Sequence, residues 1–73
     1  MPEIKVLSEI PGKVLEVEAG VGDAVDEDDT LVMLESMKME IPVPSPSEGT
    51  VKEILVAVDD MIEEGDPVAI IET

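Results

Sequence analysis

The stretch ESMKMEIPVPSP, residues 35–46, lies at the centre of a 73-residue chain and marks the junction of an internal repeat. When the sequence is shifted by 37 positions, residues 1–36 align with residues 38–73 without a gap. About a third of the aligned pairs are identical, well above what average composition gives by chance. The chain is therefore a duplication with Lys38 at its seam. Identical pairs include Gly12/Gly49, Val14/Val51, Asp23/Asp60 and Asp29/Asp66.

Each half contains short runs of β-branched residues separated by turn signals. The runs cover residues 13–17, 31–34, 51–56 and 68–71. They are too short for typical helices and are typical of strands. Pro42, Pro44 and Pro46 exclude a helix after the seam and confine that stretch to an edge or extended segment. The chain is predicted to be all-β, with an aliphatic core because it has no Phe, Tyr or Trp.

Two similar β-halves in one small domain predict two thin sheets related by a pseudo-twofold axis. One half alone exposes its apolar face, and packing the halves face to face buries both faces. The seam joins a strand that ends near Glu35 to a strand that starts near Met39, so Lys38 is expected at the tip of a tight hairpin. By symmetry, both termini are expected at the opposite end of a single domain, residues 1–73, with halves 1–36 and 38–73.

The composition excludes several classes of function. The chain has no Cys and no His, which removes thiolate and imidazole metal ligands and the commonest general base. Its 19 acidic residues outnumber four lysines, giving a net charge of −15, so nucleic acid and anionic membranes are repelled. Simple solubility and a salty cytoplasm are both open explanations of this acidity. With no apolar span and no signal-peptide pattern, the expected compartment is the cytoplasm.

The residues around Lys38 resemble the attachment motif of the biotinyl and lipoyl attachment domain family. Met37-Lys38-Met39 is the form of this motif seen in biotin carriers, whereas lipoyl domains usually place Asp before the lysine and Ala after it. The resemblance implies a flattened barrel of two four-stranded antiparallel sheets, of the small stand-alone kind without a thumb insertion. It covers nearly the whole chain through Gly12-x-Val14, Gly22-Asp23-x-Val25, Gly49-x-Val51 and Asp60-x-Ile62-x-x-Gly65-Asp66.

Two turn positions depart from the family pattern. The family usually has Gly where this chain has Asp28 in the first half and Asp59 in the second. If these positions need a positive φ, Asp is among the least costly replacements for Gly. The fold is therefore expected to tolerate both departures. The acidic run 26–29 lacks the spacing of a calcium loop and is predicted to be a turn, with no metal assigned.

The resemblance implies that Lys38 is the residue that carries covalently attached biotin. A biotin protein ligase activates biotin as the adenylate, and the neutral Lys38 amine forms an amide with it. A biotin carboxylase then loads a carboxyl group onto the cofactor, and a carboxyltransferase receives it. The chain itself is expected to be a non-catalytic, monomeric carrier, most simply of an acyl-CoA carboxylase such as acetyl-CoA carboxylase. The other lysines, Lys5, Lys13 and Lys52, are expected in strands away from the tip.

The neighbours of Lys38 are candidates for recognition. Met37 and Met39 offer flexible thioethers for contacts with a partner or with the biotin ring, although Met39 could simply fill the sheet edge. Glu35 and Glu40 flank the tip and are possible ligase contacts, with a solvated face as the alternative.

Two other functions stay open from the sequence. One is a lipoyl carrier on the same fold, and the other is an unmodified barrel used only for protein contacts. Within the biotin class, acyl-CoA, pyruvate and urea carboxylases would all accept such a carrier.

Overall fold

The computed structural model describes residues 2–73 and contains eight β-strands and no helix in that range. Met1, the first residue of the first repeat half, lies outside the described residues. No helix in residues 2–73 is long and apolar enough to cross a membrane. The strands are β1 (Glu3–Leu7), β2 (Gly12–Val17), β3 (Ala24–Val25), β4 (Thr30–Ser36), β5 (Met39–Pro44), β6 (Gly49–Ile54), β7 (Met61–Ile62) and β8 (Pro67–Glu72).

The strands form two four-stranded antiparallel sheets, which confirms the expected fold class. We call the sheet β5-β4-β2-β7 the tip sheet and the sheet β1-β8-β6-β3 the terminal sheet. Each sheet contains two strands from each repeat half. The expectation that one half packs face to face on the other is therefore wrong in detail, because the halves exchange strands. Neither half contains a complete sheet of its own.

All four predicted β-branched runs lie in strands, namely β2, β4, β6 and β8, although β6 ends before the predicted run does. The proline-rich stretch after the seam forms β5, an edge strand of the tip sheet. Pro42 and Pro44 fit there because an edge strand has one side without a ladder partner. The residue patterns alone did not predict β1, β3 and β7. Two of these, β3 and β7, are only two residues long.

The core between the sheets is aliphatic, as expected. Leu31, Leu34 and Ile71 are its largest fully buried side chains, and Val14 and Val51 lie at equivalent places in the two halves. Bulges in β2 and β6 interrupt the regular register at equivalent positions. Such bulges increase local twist, which helps two thin sheets to close around one core.

Equivalent hydrogen bonds hold the turns of the two halves. The Asp23 carboxylate accepts from the Gly20 N–H at 2.8 Å, and the Asp60 carboxylate accepts from the Ala57 N–H at 2.9 Å. The run 26–29 is a turn, as predicted, in which the Asp26 N–H donates to the Asp29 carboxylate at 2.9 Å.

The two positions that depart from the family turn pattern meet the condition on which the expected tolerance of Asp depended, a positive φ. Asp28 has φ of 73° and Asp59 has φ of 78°. Their equivalents in the opposite halves, Gly65 and Gly22, also have positive φ. In each pair of equivalent turns, one half therefore has Gly and the other has Asp in the left-handed region, where Asp is better tolerated than most residues.

The repeat seam and the chain termini lie at opposite ends of an elongated molecule of 36 × 18 × 18 Å. The Thr73 N–H donates to the Pro2 carbonyl oxygen at 3.0 Å, which closes the terminal end. The β4–β5 hairpin occupies the equivalent position at the tip end. A group attached at the seam thus lies at the end of the molecule away from Pro2 and Thr73.

Candidate functional site

The seam forms a two-residue hairpin turn between β4 and β5. Ser36 pairs with Met39, and the two residues between them, Met37 and Lys38, have φ of 53° and 65°. Positive φ at both central positions is the pattern of a type I′ turn, which matches the twist of the flanking strands. Because neither residue is Gly or Asn, each carries roughly 1–2 kcal/mol of unfavourable backbone energy. The turn points the Lys38 side chain away from the barrel into solvent.

The four lysines are all exposed, but they differ in their ion pairs. Within residues 2–73, the two ion pairs that form involve Lys13 with Asp59 and Lys52 with Glu3. The hydrogen bond from Lys52 to Glu3, followed by their charge attraction, raises the pKa of Lys52 above its usual 10.5. A more firmly protonated amine is a poorer nucleophile. Lys38 and Lys5 form no such ion pair among the described residues, and of these two only Lys38 lies in a turn rather than in a strand.

The other lysines lie in strands, but one of them is nearer to the tip than expected. Lys5 lies in β1 and Lys52 in β6, both in the terminal sheet. Lys13, in β2, pairs directly with Glu35 of β4, so it lies at the tip end of the tip sheet. The expectation that Lys13 lies away from the tip is wrong, because antiparallel pairing brings the start of β2 beside the end of β4.

The two methionines that flank Lys38 are open to solvent. Met37 is 92% exposed and Met39 is 63% exposed. The alternative in which Met39 fills the sheet edge does not agree with this exposure. Both thioethers are therefore available to a molecule that approaches Lys38.

The flanking glutamates meet directly behind the turn. Glu35 of β4 and Glu40 of β5 are cross-strand partners, and both are exposed. Like charges directly opposite one another destabilise a sheet by a few tenths of a kcal/mol to about 1 kcal/mol. The structure thus brings two carboxylates together immediately beside the Lys38 turn.

Sequence reasoning missed Lys13 and Met61 as neighbours of the site. Met61 of β7 pairs with Lys13, which pairs with Glu35, which pairs with Glu40. These four residues form one row across the outer face of the tip sheet, directly behind the turn. No local sequence signal pointed to this row, because its four residues come from four strands and are brought together only by long-range pairing.

The site offers covalent attachment rather than metal binding. Among residues 2–73, no group of three or more Asp or Glu side chains could hold a metal ion. The Lys38 amine is exposed in the hairpin turn, where it is accessible to a reactive group from solvent. The arrangement fits a cofactor carried on the end of a lysine side chain and presented to solvent.

Comparison with known protein families gives a match over almost the whole chain. The family described as "biotin-requiring enzyme", which covers biotin and lipoyl attachment segments, matches residues 1–71. The "biotinylated protein TB7.3 homolog" of Mycobacterium leprae is 48% identical over 66 residues, which cover 90% of this chain and 93% of that protein. The mouse mitochondrial pyruvate carboxylase is 44% identical over 57 residues, or 5% of its length.

Lipoyl-bearing relatives are also similar to this chain. The dihydrolipoyllysine-residue acetyltransferase component of the pyruvate dehydrogenase complex of Cupriavidus necator is 40% identical over 72 residues, or 13% of its length. Apart from the Mycobacterium leprae protein, the chain thus spans only a small part of these relatives.

Solved structures agree with the sequence comparisons. The crystal structure of Kluyveromyces lactis urea carboxylase superposes with a TM-score of 0.93 at 36% identity, over 99% of this chain and 6% of that one. A single-chain, multi-domain long-chain acyl-CoA carboxylase superposes with a TM-score of 0.87 at 29% identity, over 93% of this chain and 7% of that one. The two-sheet barrel described above therefore recurs as a small segment within large carboxylases.

Proposed function

The chain belongs to the biotin-requiring enzyme family of biotin and lipoyl attachment domains, and we propose that Lys38 is the residue to which its biotin is attached. It is a biotin attachment domain similar to segments of urea, acyl-CoA and pyruvate carboxylases. Its cofactor is covalently attached biotin, in keeping with a biotinylated relative that matches nearly end to end. The observation that carries the assignment of Lys38 is its place in an exposed type I′ turn.

The residues of the tip fit a covalently attached group. An amine at the end of a four-carbon stem leaves the attached group mobile, while the hairpin behind it is fixed by β4–β5 pairing. Lys38 Nζ would hold the cofactor through an amide bond to the carboxyl carbon of biotin. If the carboxyl group is supplied as the adenylate, the amine would lose a proton and AMP would leave. The exposure of Met37 and Met39 leaves the approach to Nζ open.

When attached, biotin supplies the chemistry of carboxyl transfer between two active sites, and the chain supplies position. We propose that the chain itself catalyses neither step. In support, the sequence contains no His and no Cys, and Lys38 lies on an exposed turn rather than in a cavity. The proposed partners are a biotin protein ligase, a biotin carboxylase and a carboxyltransferase.

We propose that an acyl-CoA accepts the carboxyl group. The long-chain acyl-CoA carboxylase segment supports this choice, and the urea and pyruvate carboxylase segments are the competing possibilities. Affinity purification of the biotinylated chain from its host, followed by identification of the co-purifying subunits, tests it. Recovery of a carboxyltransferase specific for urea or pyruvate would contradict the acyl-CoA proposal.

A lipoyl carrier is the second candidate, because acetyltransferase components named for dihydrolipoyllysine are about as similar to this chain as pyruvate carboxylases are. The methionines on both sides of Lys38 favour biotin. Intact-mass measurement on the chain from its native host separates the candidates, because biotin and lipoate add different masses. Peptide mapping should place the biotin mass on Lys38. A lipoyl mass, or a biotin mass on another lysine, would contradict the proposal.

A further inference from the structure

The internal duplication allows the outer faces of the two sheets to be compared position by position. At the bulge of β2, Leu15 and Glu16 together oppose Met33 of β4. Because Leu34 and Val32 on either side of Met33 are fully buried, Met33 points outward, and the bulged residues share its face. Leu15 and Met33 are half-buried on this outer face.

The apolar surface of the tip sheet continues toward the Lys38 turn. Met61 of β7 is 74% exposed and lies at the end of the row that contains Lys13 and Glu35. Leu15, Met33 and Met61 therefore form an apolar patch on the outer face of the tip sheet, which we call the Leu15 patch. The patch lies on the same sheet as the Lys38 hairpin and reaches the row directly behind it.

The terminal sheet has no such patch at the equivalent positions. Lys52 stands in place of Leu15, and Ala24 in place of Met61. Lys5 stands in place of Pro42, beside Ile70, which is the equivalent of Met33. Lys52 is engaged with Glu3 in an ion pair across the terminal sheet. The outer face of the terminal sheet thus carries lysines at positions where the outer face of the tip sheet, which bears the Lys38 hairpin, is apolar.

The two outer faces carry glutamates at equivalent positions, but they differ in the lysines that can neutralise these charges. Glu16, Glu35 and Glu40 surround the Leu15 patch, and their equivalents Glu53, Glu72 and Glu3 lie on the terminal sheet. On the terminal sheet two lysines lie among these acids. On the tip sheet the lysine near these acids is Lys13, whose Nζ lies 3.5 Å from the Asp59 Oδ1 in an ion pair. The Leu15 patch is therefore an apolar centre with a negative rim.

We propose that the Leu15 patch is the surface on which the biotin protein ligase docks, through an apolar contact flanked by Lys or Arg side chains. This rests on the proposed function of Lys38. The ligase is the partner that must approach most closely, because it meets the lysine before biotin lengthens the arm. A four-carbon stem reaches only a short distance, so an enzyme acting on Nζ has to cover the strands behind the turn. Charge complementarity then calls for basic groups opposite Glu16, Glu35 and Glu40.

The duplication supplies matched variants for the test. Met33→Lys removes an apolar contact and adds a positive charge to the patch, and Ile70→Lys makes the same change at the equivalent place on the terminal sheet. Met61→Lys and Ala24→Lys form a second pair at exposed strand positions, where folding is little affected. Steady-state biotinylation of each variant by a purified biotin protein ligase, with biotin and ATP, gives KM for the carrier and kcat.

We expect KM to rise at least tenfold for Met33→Lys and several-fold for Met61→Lys, with kcat changed less than twofold because Lys38 and its turn are intact. Ile70→Lys and Ala24→Lys should change KM less than twofold, and Met33→Leu should retain most of the wild-type affinity. Equal effects within each pair, or unchanged KM for both tip-sheet variants, would overturn the docking surface while the function of Lys38 stands. A wild-type chain that the ligase does not modify would overturn both.

Discussion

At the scale of single residues, Met37 and Lys38 occupy the two central positions of a turn that usually contains Asn and Gly. Both have positive φ, and the glutamates behind them face each other across the hairpin. Each feature is unfavourable for folding by itself. Unfavourable local features of this kind cluster at functional sites, which agrees with an attachment role for Lys38.

Lys38→Arg should keep the fold and lose biotin. The side chain is exposed, so the substitution leaves the core unchanged. Arg keeps the positive charge, but its guanidinium stays protonated and gives no nucleophile. Streptavidin binding after coexpression with a biotin protein ligase is the measurement, with Lys13→Arg as the control because Lys13 is the other lysine at the tip end. Labelling of Lys38→Arg at the wild-type level would contradict the assignment.

The double substitution Met37→Asp with Met39→Ala should shift the preference from biotin toward lipoate. Both side chains are exposed at the turn, so the barrel should tolerate the change. Specificity is a difference between two affinities, and local changes can alter it. We expect the biotin ligase to modify the double variant poorly, and the lipoate ligase to gain weakly because distant contacts are unchanged.

The measurement is a time course with each ligase, followed by intact mass. A wild-type chain that accepts lipoate and not biotin would reverse the cofactor assignment and leave the carrier fold intact.

At the scale of strands, two equivalent glycines allow neighbouring strands to approach closely. A Cβ added at Gly12 would lie 2.8 Å from the Glu35 carbonyl oxygen, and one at Gly49 would lie 2.7 Å from the Glu72 carbonyl oxygen. Both contacts involve backbone, which cannot move without disturbing the strand pairing. These glycines therefore fix the distance between β2 and β4 and between β6 and β8.

Gly12→Ala and Gly49→Ala should each lower the free energy of unfolding by about 1–3 kcal/mol, which is the typical cost of adding a methyl group to a region that is already well packed. Gly20→Ala is the matched control, because its added Cβ would meet only the Asp23 carboxylate at 3.6 Å. Urea unfolding followed by far-UV circular dichroism gives the three values. A loss for Gly20→Ala as large as for the other two would contradict the close-approach explanation.

At the scale of the whole molecule, the net charge of −15 is the dominant electrostatic feature. Only two ion pairs form within residues 2–73, and both are solvent-exposed. Exposed ion pairs contribute little to stability. Repulsion among the carboxylates is therefore largely uncompensated in the folded chain, and it favours expansion.

Added monovalent salt should raise the melting temperature. The Debye length falls from about 10 Å at 0.1 M to about 3 Å at 1 M, which screens the repulsion between carboxylates. Differential scanning calorimetry of the unmodified chain in NaCl over this range measures the effect, with sucrose at matched osmolality as a control for excluded-solute stabilisation. A flat or falling melting temperature would mean that the charges are better paired than the sequence suggests.

The sequence by itself determined the elements that depend on local signals. The short β-branched runs identified four strands, and the prolines after the seam limited that stretch to an edge or extended segment, which in the structure is the edge strand β5. The repeat placed Lys38 at a hairpin tip, opposite the termini. The tolerance of Asp28 and Asp59, where the family usually has Gly, was expected if both positions have a positive φ, and both do. The strand assignments rest on a few neighbouring residues whose backbone preference is readable without knowing their partners, and the position of Lys38 rests on the symmetry of the repeat.

Only the tertiary structure decided which strands pair. The exchange of strands between the halves, the two-residue strands β3 and β7, and the row from Met61 through Lys13 to Glu35 and Glu40 all depend on contacts between residues far apart in the chain. Such pairings form because together they bury both apolar faces around one core, and a short strand such as β7 carries no local preference strong enough to specify its partner. The location of the Leu15 patch beside the Lys38 hairpin is a consequence of that long-range pairing.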